Sequence, residues 1–487
     1  MASSNASPLI VWFRNDLRID DNPALLAAAD TGRPLLPLYI REDADTRRLG
    51  GALKWWLHRS LTALAHDLRE RGLKLHLLGG DAADTLAHVA RSTGASGVHW
   101  NRRYSGDGIQ RDTAVKTRLK AQGLEVESFN SHLLYEPWTL KTGSGGPYRV
   151  FTPFSRAARA SGMPDKPKPA PRMMHGYEGP LDDLSLEAFD LLPTKPDWSG
   201  GLQKAWKPGT DGAQQKLDRF LAEALENYPD KRDRPGIIGT SRLSPYLRFG
   251  ELSPRAIWHA AEVSSASRDA VFKFHQELLW REFSYHLLYH YPDLCEANHQ
   301  PKFDAFPWRN HEGEEGAKLL RAWQKGSTGY PIVDAGMREL WHTGWMHNRV
   351  RMIVGSFLVK HLLIDWRQGE EWFWDTLVDA DPANNAASWQ WVAGSGADAA
   401  PYFRIFNPVL QGEKFDGDGS YTRQWVPEVT KLPKKFLHKP WEAPTSALSE
   451  AGITLGETYP RPIVDHREAR ERALDAFKSL SDAANAA

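Results

Sequence analysis

The chain has 487 residues, of which 41% are hydrophobic and 25% charged, a composition typical of a globular protein with two or three domains. Its 61 basic and 61 acidic residues cancel, which disfavours a protein whose whole surface binds nucleic acid but permits a local basic cleft. Its one cysteine, Cys295, excludes a disulfide framework and a four-cysteine zinc or iron–sulfur site.

The first 130 residues alternate short apolar runs with helical patterns. The apolar runs cover residues 8–13, 34–40, 74–78, 97–100 and 124–129. This alternation predicts βαβ units, and therefore an α/β domain over residues 1–130 built on a doubly wound, Rossmann-like parallel sheet. A GxGxxG loop is missing from this region, so we do not expect the sheet to hold a dinucleotide in the usual manner.

Residues 131–210 are rich in proline, glycine and lysine, which predicts an interdomain linker that runs over the surface. From residue 211 the strand pattern stops and helical patterns continue to about residue 405, followed by an amphipathic segment at 465–480. We therefore expect an all-α domain over residues 211–487. The N-terminus lacks a signal-peptide pattern, and no apolar run approaches the roughly 18 residues of a membrane span, so a cytoplasmic protein without a membrane partner is expected.

The segment GWMHNRVRM, residues 344–352, predicts a helix with two different faces. At the i, i+3, i+4 and i+7 spacing, one face carries Trp345, Asn348, Arg349 and Met352. The other face is apolar and is predicted to pack in the core; it consists of Met346, Val350 and Ile353. Because the second face already supplies the packing surface, the polar-aromatic face calls for a different explanation.

Residues 274–288 repeat this arrangement. Glu277, Trp280, Arg281 and Ser284 share one helix face, while a separate apolar stripe consists of Leu279, Phe283 and Leu287. The structural alternative is an ion pair of Glu277 with Arg281 on a solvated face. A large indole between the two charges fits that alternative poorly.

Two further segments suggest ligand contacts. Residues 239–255 place Thr240, Ser241 and Ser244 around Arg242 beside helix-start signals, which fits either a phosphate site or simple helix capping. Residues 377–391 contain several hydrogen-bonding and aromatic side chains: Asp379, Asp381, Asn384, Asn385, Trp389 and Trp391. They suit ribose hydroxyls or a heteroaromatic imide, with an ordinary Asx turn as the alternative. No metal site is predicted, because a third carboxylate and a glycine-centred loop are missing.

Six motifs together resemble the flavin-binding half of the DNA photolyase/cryptochrome family. They read GTSRLSPYL, ELLWREF, TGYPIVDAGMREL, TGWMHNRVRM, FLVKHLLIDW and ANNAASWQWVAGSGADAAPYFRIFNP. The match is nearly continuous from Tyr228 to Gln411, and it is similar to bacterial cyclobutane pyrimidine dimer (CPD) photolyases of class I/III type. The α/β first part and the long linker agree with this family in architecture.

The resemblance implies FAD as the cofactor, bound in the helical domain. The positions that match the family's phosphate contacts are Tyr228, Thr240, Ser241, Arg242, Leu243 and Ser244. Those that match positions near the adenine and flavin rings are Phe274, Glu277, Trp345, Asn348 and Arg351, with Phe274 standing where the family often has tryptophan. Asp379 and Asp381 match the acids at the ribityl or isoalloxazine edge, and Asn385 matches the residue that faces flavin N5.

The resemblance also implies damaged DNA as the partner. Trp280 and Trp391 match the aromatic residues that clasp a flipped-out pyrimidine dimer, and Met352 matches the thioether that packs against it. Further DNA contacts match Arg232, Glu277, Arg281, Asn348, Arg349, Arg404 and Gln411. The polar-aromatic face of residues 344–352 would then line a cavity between flavin and lesion.

The activity implied is that of a deoxyribodipyrimidine photo-lyase, a carbon–carbon lyase driven by blue light. Excited reduced FAD donates an electron to the dimer, two cyclobutane bonds break and the electron returns. Glu277 would hydrogen-bond a thymine carbonyl, and the neutral Asn385 would favour the reduced flavin. Trp389, Trp366 and Trp308 match the family's electron-transfer triad, which recharges the flavin.

Two alternatives belong to the same family. The first is a cryptochrome-type photoreceptor, but plant cryptochromes carry an aspartate where this chain has Asn385. The second is a (6-4) photolyase, a branch with paired histidines where this chain has a single His347 followed by Asn348 and Arg349. Both features favour CPD repair.

A light-harvesting antenna, methenyltetrahydrofolate or deazaflavin, is often held by the N-terminal domain in this family. One enterobacterial-type folate site uses an adjacent Asn-Glu pair after the fourth strand, where this chain has Asp107 and Gly108. That mode of binding is therefore disfavoured, and no antenna residue is assigned. A monomer is expected.

Overall fold

The computed structural model describes residues 7–42, 47–399 and 403–486 of the chain. They form two compact units. The first unit comprises the described residues of Met1–Tyr148, Thr152–Glu223 and Ser241–Pro292, and the second those of Arg149–Phe151, Ala224–Thr240 and Asp293–Ala487. Residues 241–292 thus group with the first unit although their sequence pattern is helical. The division into domains at 1–130, 131–210 and 211–487 stays a prediction.

The first unit contains the predicted five-stranded parallel sheet. Its strands are β1 (Leu9–Phe13), β2 (Leu35–Arg41), β3 (His76–Gly79), β4 (Gly97–Asn101) and β5 (Glu125–Phe129), in the order β3-β2-β1-β4-β5. All five residues of the central strand β1 are buried, as expected for a strand covered on both faces. The predicted α/β fold of this region is confirmed.

Four helices alternate with the strands at the predicted places: α1 (Pro23–Asp30), α2 (Gly51–Arg69), α3 (Ala82–Thr93) and α4 (Gly106–Ala121). Asn22 and Asp81 cap α1 and α3 with their side chains, which satisfies backbone N–H groups that have no intrahelical partner.

Trp12 of β1 and Trp100 of β4 are fully buried and meet edge to face at 5.8 Å. Several of the 20 tryptophans therefore serve as core.

The region predicted as a surface linker is not all irregular. It contains α5 (Phe151–Ala160) and α6 (Gly200–Ala205). In α5, Phe151, Phe154 and Ala158 are buried at a helical spacing, so this segment packs rather than running over the surface. Pro153 lies in the first turn, where a proline costs no intrahelical hydrogen bond, and the surrounding glycines and prolines hide the helical pattern.

Helices continue from residue 210 to the end of the described residues. They are α7 (Thr210–Glu223), α8 (Tyr228–Lys231), α9 (Ser244–Phe249), α10 (Pro254–Glu262), α11 (Arg268–His290), α12 (Glu314–Gln324), α13 (Pro331–Thr343), α14 (Asn348–Ser356), α15 (Trp366–Thr376), α16 (Pro382–Ala393), α17 (Pro408–Phe415), α18 (Ser420–Trp425), α19 (Thr445–Ala451) and α20 (His466–Ala486). A π-helix, Phe357–His361, extends α14. Within the described ranges, none of these helices combines the length and apolarity needed to cross a bilayer.

The segment GWMHNRVRM does not form one helix, contrary to the sequence prediction. Gly344 adopts a left-handed conformation with φ of 66° and ends α13, as glycine commonly does at this position. His347 then caps α14 by accepting a hydrogen bond from the backbone of Arg349. Trp345 and Met346 therefore lie in the connection, although the apolar side is buried as predicted. Asn348 is exposed, and Arg349 and Met352 are half-buried.

Candidate functional site

In the second unit, an acidic turn joins α15 to α16. Asp381 caps α16: its Oδ1 accepts hydrogen bonds from the backbone of Ala383 at 3.0 Å and of Asn384 at 2.8 Å, and from the Asn384 amide at 2.8 Å. The Asx-turn alternative thus applies to this residue. This turn does not involve the side chains of the neighbouring Asp379 and Asn385, which have other contacts.

Asp379 forms an ion pair with a guanidinium from α14. Arg351 Nη2 lies 2.8 Å and 3.1 Å from the two carboxylate oxygens, and Arg351 Nε donates to the carbonyl of Met346 at 2.7 Å. The guanidinium lies 5.8 Å from the ring centre of Trp345. A backbone hydrogen bond from Val378 to Gly344 joins the two segments. The structure therefore brings together Trp345, Arg351 and Asp379, which the sequence predicted near a flavin.

Asn385 lies one turn into α16 and contacts α15. Its amide nitrogen donates to the backbone carbonyl of Glu370 at 3.0 Å and to the Glu370 carboxylate at 2.7 Å. Both residues are buried, with 8% and 3% of their surface exposed. Since the amide nitrogen carries two protons, this pairing fixes the orientation of the amide, with its oxygen on the side away from Glu370.

The three predicted electron-transfer tryptophans have different environments. Trp389 is buried, and its ring fits against Gly369, where an added Cβ would lie only 2.1 Å from the indole. Trp366 is fully buried and donates from its indole nitrogen to Asn298 at 2.9 Å. Trp308 is half-buried beside Phe306, with ring centres 4.3 Å apart. The burial thus decreases from the first two residues to the third.

The predicted DNA contacts of the second unit include two arginines that share one acid. Arg349 Nη2 lies 2.8 Å from the Asp233 carboxylate, and Arg232 Nε lies 3.8 Å from it. Arg232 also lies over the ring of the buried Tyr228, at 5.4 Å. Arg404 is exposed, and Trp391 and Gln411 are half-buried. Asp233 therefore holds the two guanidinium groups of Arg232 and Arg349 near each other.

In the first unit, α11 carries the other mixed face. Phe274 is buried against Phe220 with ring centres 4.7 Å apart. Trp280 is half-buried and meets Phe283 edge to face at 5.9 Å. Glu277 lies 3.6 Å from the ammonium of Lys273. The glutamate on this face is thus near a lysine one turn earlier.

Arg281, the other charge on this face, has internal partners. Its guanidinium donates to the carbonyl of His132 at 2.9 Å and to the imidazole of the same residue at 2.7 Å. It also lies 3.1 Å from Glu282, and its side chain is only 10% exposed. The ion pair with Glu277 considered as an alternative is therefore replaced by contacts with His132 and Glu282.

The segment predicted to hold phosphates divides between the units after Thr240. Ser241 to Ser244 lie in the first unit, where Arg242 has a left-handed backbone with φ of 52°. The residue before α9 is Leu243, and no side chain caps that helix. No Ser or Thr side chain caps α9, so helix capping does not account for the hydroxyl residues that precede this helix.

A lysine that the sequence reading missed lies near Arg242. Burial lowers the pKa of the Lys216 ammonium, and the positive charges of Arg242 and Arg219 lower it further. Like charges crowded in this way are typical of an anion site. Lys216 and Arg219 are three residues apart on α7, which is the only sign of this in the sequence.

Comparison with known proteins agrees with this arrangement. Residues 274–479 match the family described as the FAD binding domain of DNA photolyase, and residues 9–172 match the family described as DNA photolyase. A deoxyribodipyrimidine photo-lyase from Agrobacterium fabrum is 55% identical over 98% of this chain and 99% of its own length. The chain belongs to the DNA photolyase/cryptochrome family.

Other family members share both sequence and fold with this chain. Cryptochrome-1 of Arabidopsis thaliana is 39% identical over 97% of this chain and 70% of its own length. The crystal structure of a bacterial class III photolyase from Agrobacterium tumefaciens is 54% identical, covers 99% of both chains and superposes with a TM-score of 0.95. The fold and family inferred from sequence are therefore confirmed.

The residues of the second unit fit the flavin that this photolyase-family domain binds. Asp379, Asp381 and Asn385 are each less than a tenth exposed, beside the guanidinium of Arg351 and the indole of Trp345. Their protein partners leave the Asn385 carbonyl oxygen and further carboxylate lone pairs as acceptors, which a flat heteroaromatic ring with donors on its edge can use. The chemistry of these side chains therefore agrees with FAD.

Glu370, which sequence reasoning missed, is a second residue next to the predicted flavin contacts. It lies in α15, fifteen positions before Asn385, and accepts that residue's amide protons. Its motif, DWRQGEEWFW, is an amphipathic helix in which a second acid, Glu371, follows directly. Only the packing of α15 on α16 distinguishes the buried acid from its exposed neighbour.

Proposed function

We propose that this chain is a light-dependent deoxyribodipyrimidine photo-lyase that repairs cyclobutane pyrimidine dimers in DNA. The observation that carries the proposal is Asn385, an uncharged amide held by the buried Glu370 at the position that matches the flavin N5 contact. A neutral group there permits a negatively charged reduced flavin, whereas an added carboxylate would oppose it. The 55% identity to a photo-lyase, against 39% to a cryptochrome, supports the same choice.

The cofactor would supply the light-driven electron that opens the dimer. The chain would bind and orient the cofactor and the dimer, and would shield them from water. Arg351 and Asp379, held in one ion pair, would present a donor and an acceptor to the ring edge. Arg242 and Lys216 would place positive charge beside the phosphates.

For the DNA partner, we assign Trp391 and Met352 in the second unit, and Trp280 of α11, to the extruded dimer. Each is half-buried, so each keeps an accessible apolar surface on a fixed backbone, as stacking on an unpaired base requires. Arg232, Arg349, Arg404 and Gln411 would contact the strand around it. Arg281 is a weaker candidate for a phosphate, because its guanidinium is occupied by His132 and Glu282.

Trp389, Trp366 and Trp308 are proposed to return electrons to an oxidised cofactor. Their decreasing burial, from 3% and 0% exposed for the first two to half-buried for Trp308, supports a path that ends near solvent. Asn298 fixes the orientation of the middle indole. The chain would act as a monomer in the cytoplasm, where its single cysteine, Cys295, would stay reduced.

The decisive experiment measures repair directly. Purified protein with bound FAD, chemically reduced without oxygen, is mixed with a duplex that carries one thymine cyclobutane dimer and then illuminated with blue light. Restoration of the two thymines is expected in the light and not in the dark. A matched duplex with a (6-4) photoproduct should remain unrepaired.

The proposal would be overturned if the reduced, illuminated protein left the cyclobutane dimer intact, or repaired only the (6-4) duplex. The absorption spectrum of the protein as purified provides an independent check, because a flavin spectrum is expected whichever lesion is repaired. A protein that contains flavin but repairs neither duplex would point to the photoreceptor branch of the family.

A further inference from the structure

An open cavity of about 450 Å³ lies in the second unit, next to the end of α16. Its walls come from three segments: Arg149, residues 299–302 and residues 396–398. Arg149 and Lys302 are exposed, and His299 and Asp398 are half-buried. None of these residues is among those assigned above to FAD, to the dimer or to electron transfer.

The walls of this cavity are held by hydrogen bonds rather than formed by a loose loop. The Gln300 side chain donates to the carbonyls of Gly394 and Gly396 at 3.3 Å and 2.9 Å, and the His299 backbone donates to Gln390 at 2.8 Å. A side chain at Gly396 would collide with the backbone of Trp391 and Gln390, at 2.8 to 2.9 Å. Glycine at 396 therefore lets residues 396–398 lie against α16, and the hydrogen bonds of Gln300 and His299 join the other wall segment to this structure.

The charge around the cavity is predominantly positive. Arg149 and Lys302 line the cavity together with one acid, Asp398. Burial lowers the pKa of the His299 imidazole, and the positive charge of Arg149 lowers it further, so the two groups are close. Burial raises the pKa of the Asp398 carboxyl. A binding site of this charge and openness suits a phosphate oxygen better than a cation or an apolar group.

The cavity is joined to the proposed dimer contact through one hydrogen bond. The indole nitrogen of Trp391 donates to the backbone carbonyl of Asp398 at 3.1 Å. Asp398 holds this carbonyl in place with a left-handed backbone, φ of 53°, a conformation that aspartate tolerates better than most residues. The side chain that would stack on the lesion is thus anchored on the wall of the basic cavity.

We propose that Arg149 and Lys302 form a phosphate subsite for the DNA strand that carries the lesion, and bind a phosphodiester next to the extruded dimer. This inference rests on the proposed function, since it presumes that dimer-containing DNA is the partner. Phosphate contacts position a strand without reading its sequence. The subsite would hold the strand while Trp391, fixed to the same wall, contacts the dimer.

The test compares two pairs of substitutions that each remove two positive charges. The first pair is Arg149→Gln with Lys302→Gln; glutamine keeps part of the stem, which matters because Lys302 lies 5.5 Å from the rings of Phe303 and Phe477. The control pair is Lys74→Gln with Arg467→Gln, at side chains that are 65% and 88% exposed. FAD content and thermal unfolding establish that both proteins fold like the parent.

The dissociation constant for a duplex with one thymine dimer is then measured over a range of salt concentrations. Each lost phosphate contact should reduce the slope of log K against log salt by about 0.9 for duplex DNA. We expect a reduction of about two for the Arg149/Lys302 pair and little change for the control pair. Affinity for an undamaged duplex should fall less, because the phosphate reaches the cavity only when the dimer is turned out.

Single methylphosphonate linkages, which remove the charge of one phosphate, then locate the contact. At one or two positions next to the dimer, the parent should lose affinity on neutralisation while the Arg149/Lys302 variant loses nothing further. The subsite would be overturned by equal slopes for the two variant pairs. It would also be overturned if no phosphate position affected the parent more than the Arg149/Lys302 variant. The proposed function would stand in either case. A parent protein without preference for dimer-containing DNA would instead overturn the proposed function, and this inference with it.

Discussion

Asn385 and Glu370 are joined by two hydrogen bonds, one from the amide to the carboxylate at 2.7 Å and one from the same nitrogen to the backbone carbonyl at 3.0 Å. The pair connects α16 to α15 in a buried environment. Because both amide protons have acceptors on one residue, the orientation of Asn385 depends on Glu370. Substitutions at either residue should therefore change the electrostatics at the proposed flavin N5 position.

Asn385→Asp should make the flavin harder to reduce fully. The substitution adds a carboxylate beside the Glu370 carboxylate, and negative charge at this place opposes an anionic reduced cofactor. Photoreduction under blue light with a thiol and without oxygen should be slower or incomplete, and repair should decrease. Full reduction of the single variant at the parental rate would contradict the placement of Asn385 at N5.

Trp280→Ala should weaken binding to dimer-containing DNA by about 1–3 kcal/mol, the usual contribution of a base stacked on an aromatic side chain. The FAD content should be unchanged. Trp198→Ala removes another indole of the first unit, one that is 40% exposed and has no assigned contact, and should leave binding unaffected. Parental affinity in the Trp280 variant, measured by titration with a labelled duplex, would remove this residue from the lesion site.

Trp366→Phe should block photoreduction while leaving the fold and the cofactor in place. Phenylalanine keeps most of the shape but is not readily oxidised, and loss of the hydrogen bond to the buried Asn298 should cost about 1–3 kcal/mol. Repair by chemically reduced enzyme should survive, because the tryptophans are proposed to act in flavin reduction, before the repair step. Trp100→Phe, in the sheet of the first unit, is the control. If the Trp366 variant photoreduces at the parental rate, the electron path runs through other residues.

His275 should make stability depend on pH. The ring stacks on Trp258 with centres 3.7 Å apart, and burial lowers its pKa from 6.5 to about 4. Below pH 6.5 the unfolded chain binds a proton that the folded chain does not, so this contribution to stability is complete above pH 6.5 and is lost as the pH falls towards 4. It amounts to about 2 kcal/mol between pH 6.5 and 5.

His275→Gln removes this titration and keeps a donor for the carbonyl of Trp258, which the imidazole contacts at 3.0 Å. The midpoint of thermal unfolding should therefore fall less steeply between pH 6.5 and 5 in the variant than in the parent. His66→Gln, at an exposed position on α2, should retain the parental slope. Identical slopes for the parent and the His275 variant would show that the buried imidazole does not control this pH dependence.

The regular elements could be predicted because each one follows a local pattern. The runs that became β1 to β5 are short, apolar and separated by amphipathic segments, and the predicted strands begin and end within two residues of those observed. Residues 344–352 show where periodicity is not sufficient. The spacing of Trp345 and Asn348 is helical, but Gly344 ends one helix and His347 begins another. The left-handed backbone of Gly344 ends α13 even though the spacing of the nine residues is helical.

The contacts that define the site were harder to predict, because they join distant parts of the chain. Arg281 was assigned to DNA from the family resemblance, and its helix face gave no sign of its partner His132, 149 residues earlier. Glu370 has the same residue type as the neighbouring Glu371, and only the packing of α15 on α16 places it against Asn385. Sequence spacing identifies which residues share a face, whereas the partner of that face depends on tertiary structure.

The contact between Gly369 and Trp389 limits which amino acids can occupy residue 369. Any side chain larger than hydrogen at residue 369 would have to move the indole, since its first carbon would lie 2.1 to 2.6 Å from three ring atoms. The rate of electron tunnelling falls exponentially with the distance between donor and acceptor. In the proposed electron-transfer role, a small displacement of Trp389 would therefore change the rate far more than it would change the fold. Mutational libraries selected for photoreduction should therefore retain glycine at 369, whereas libraries selected only for folding could replace it together with a smaller residue at 389.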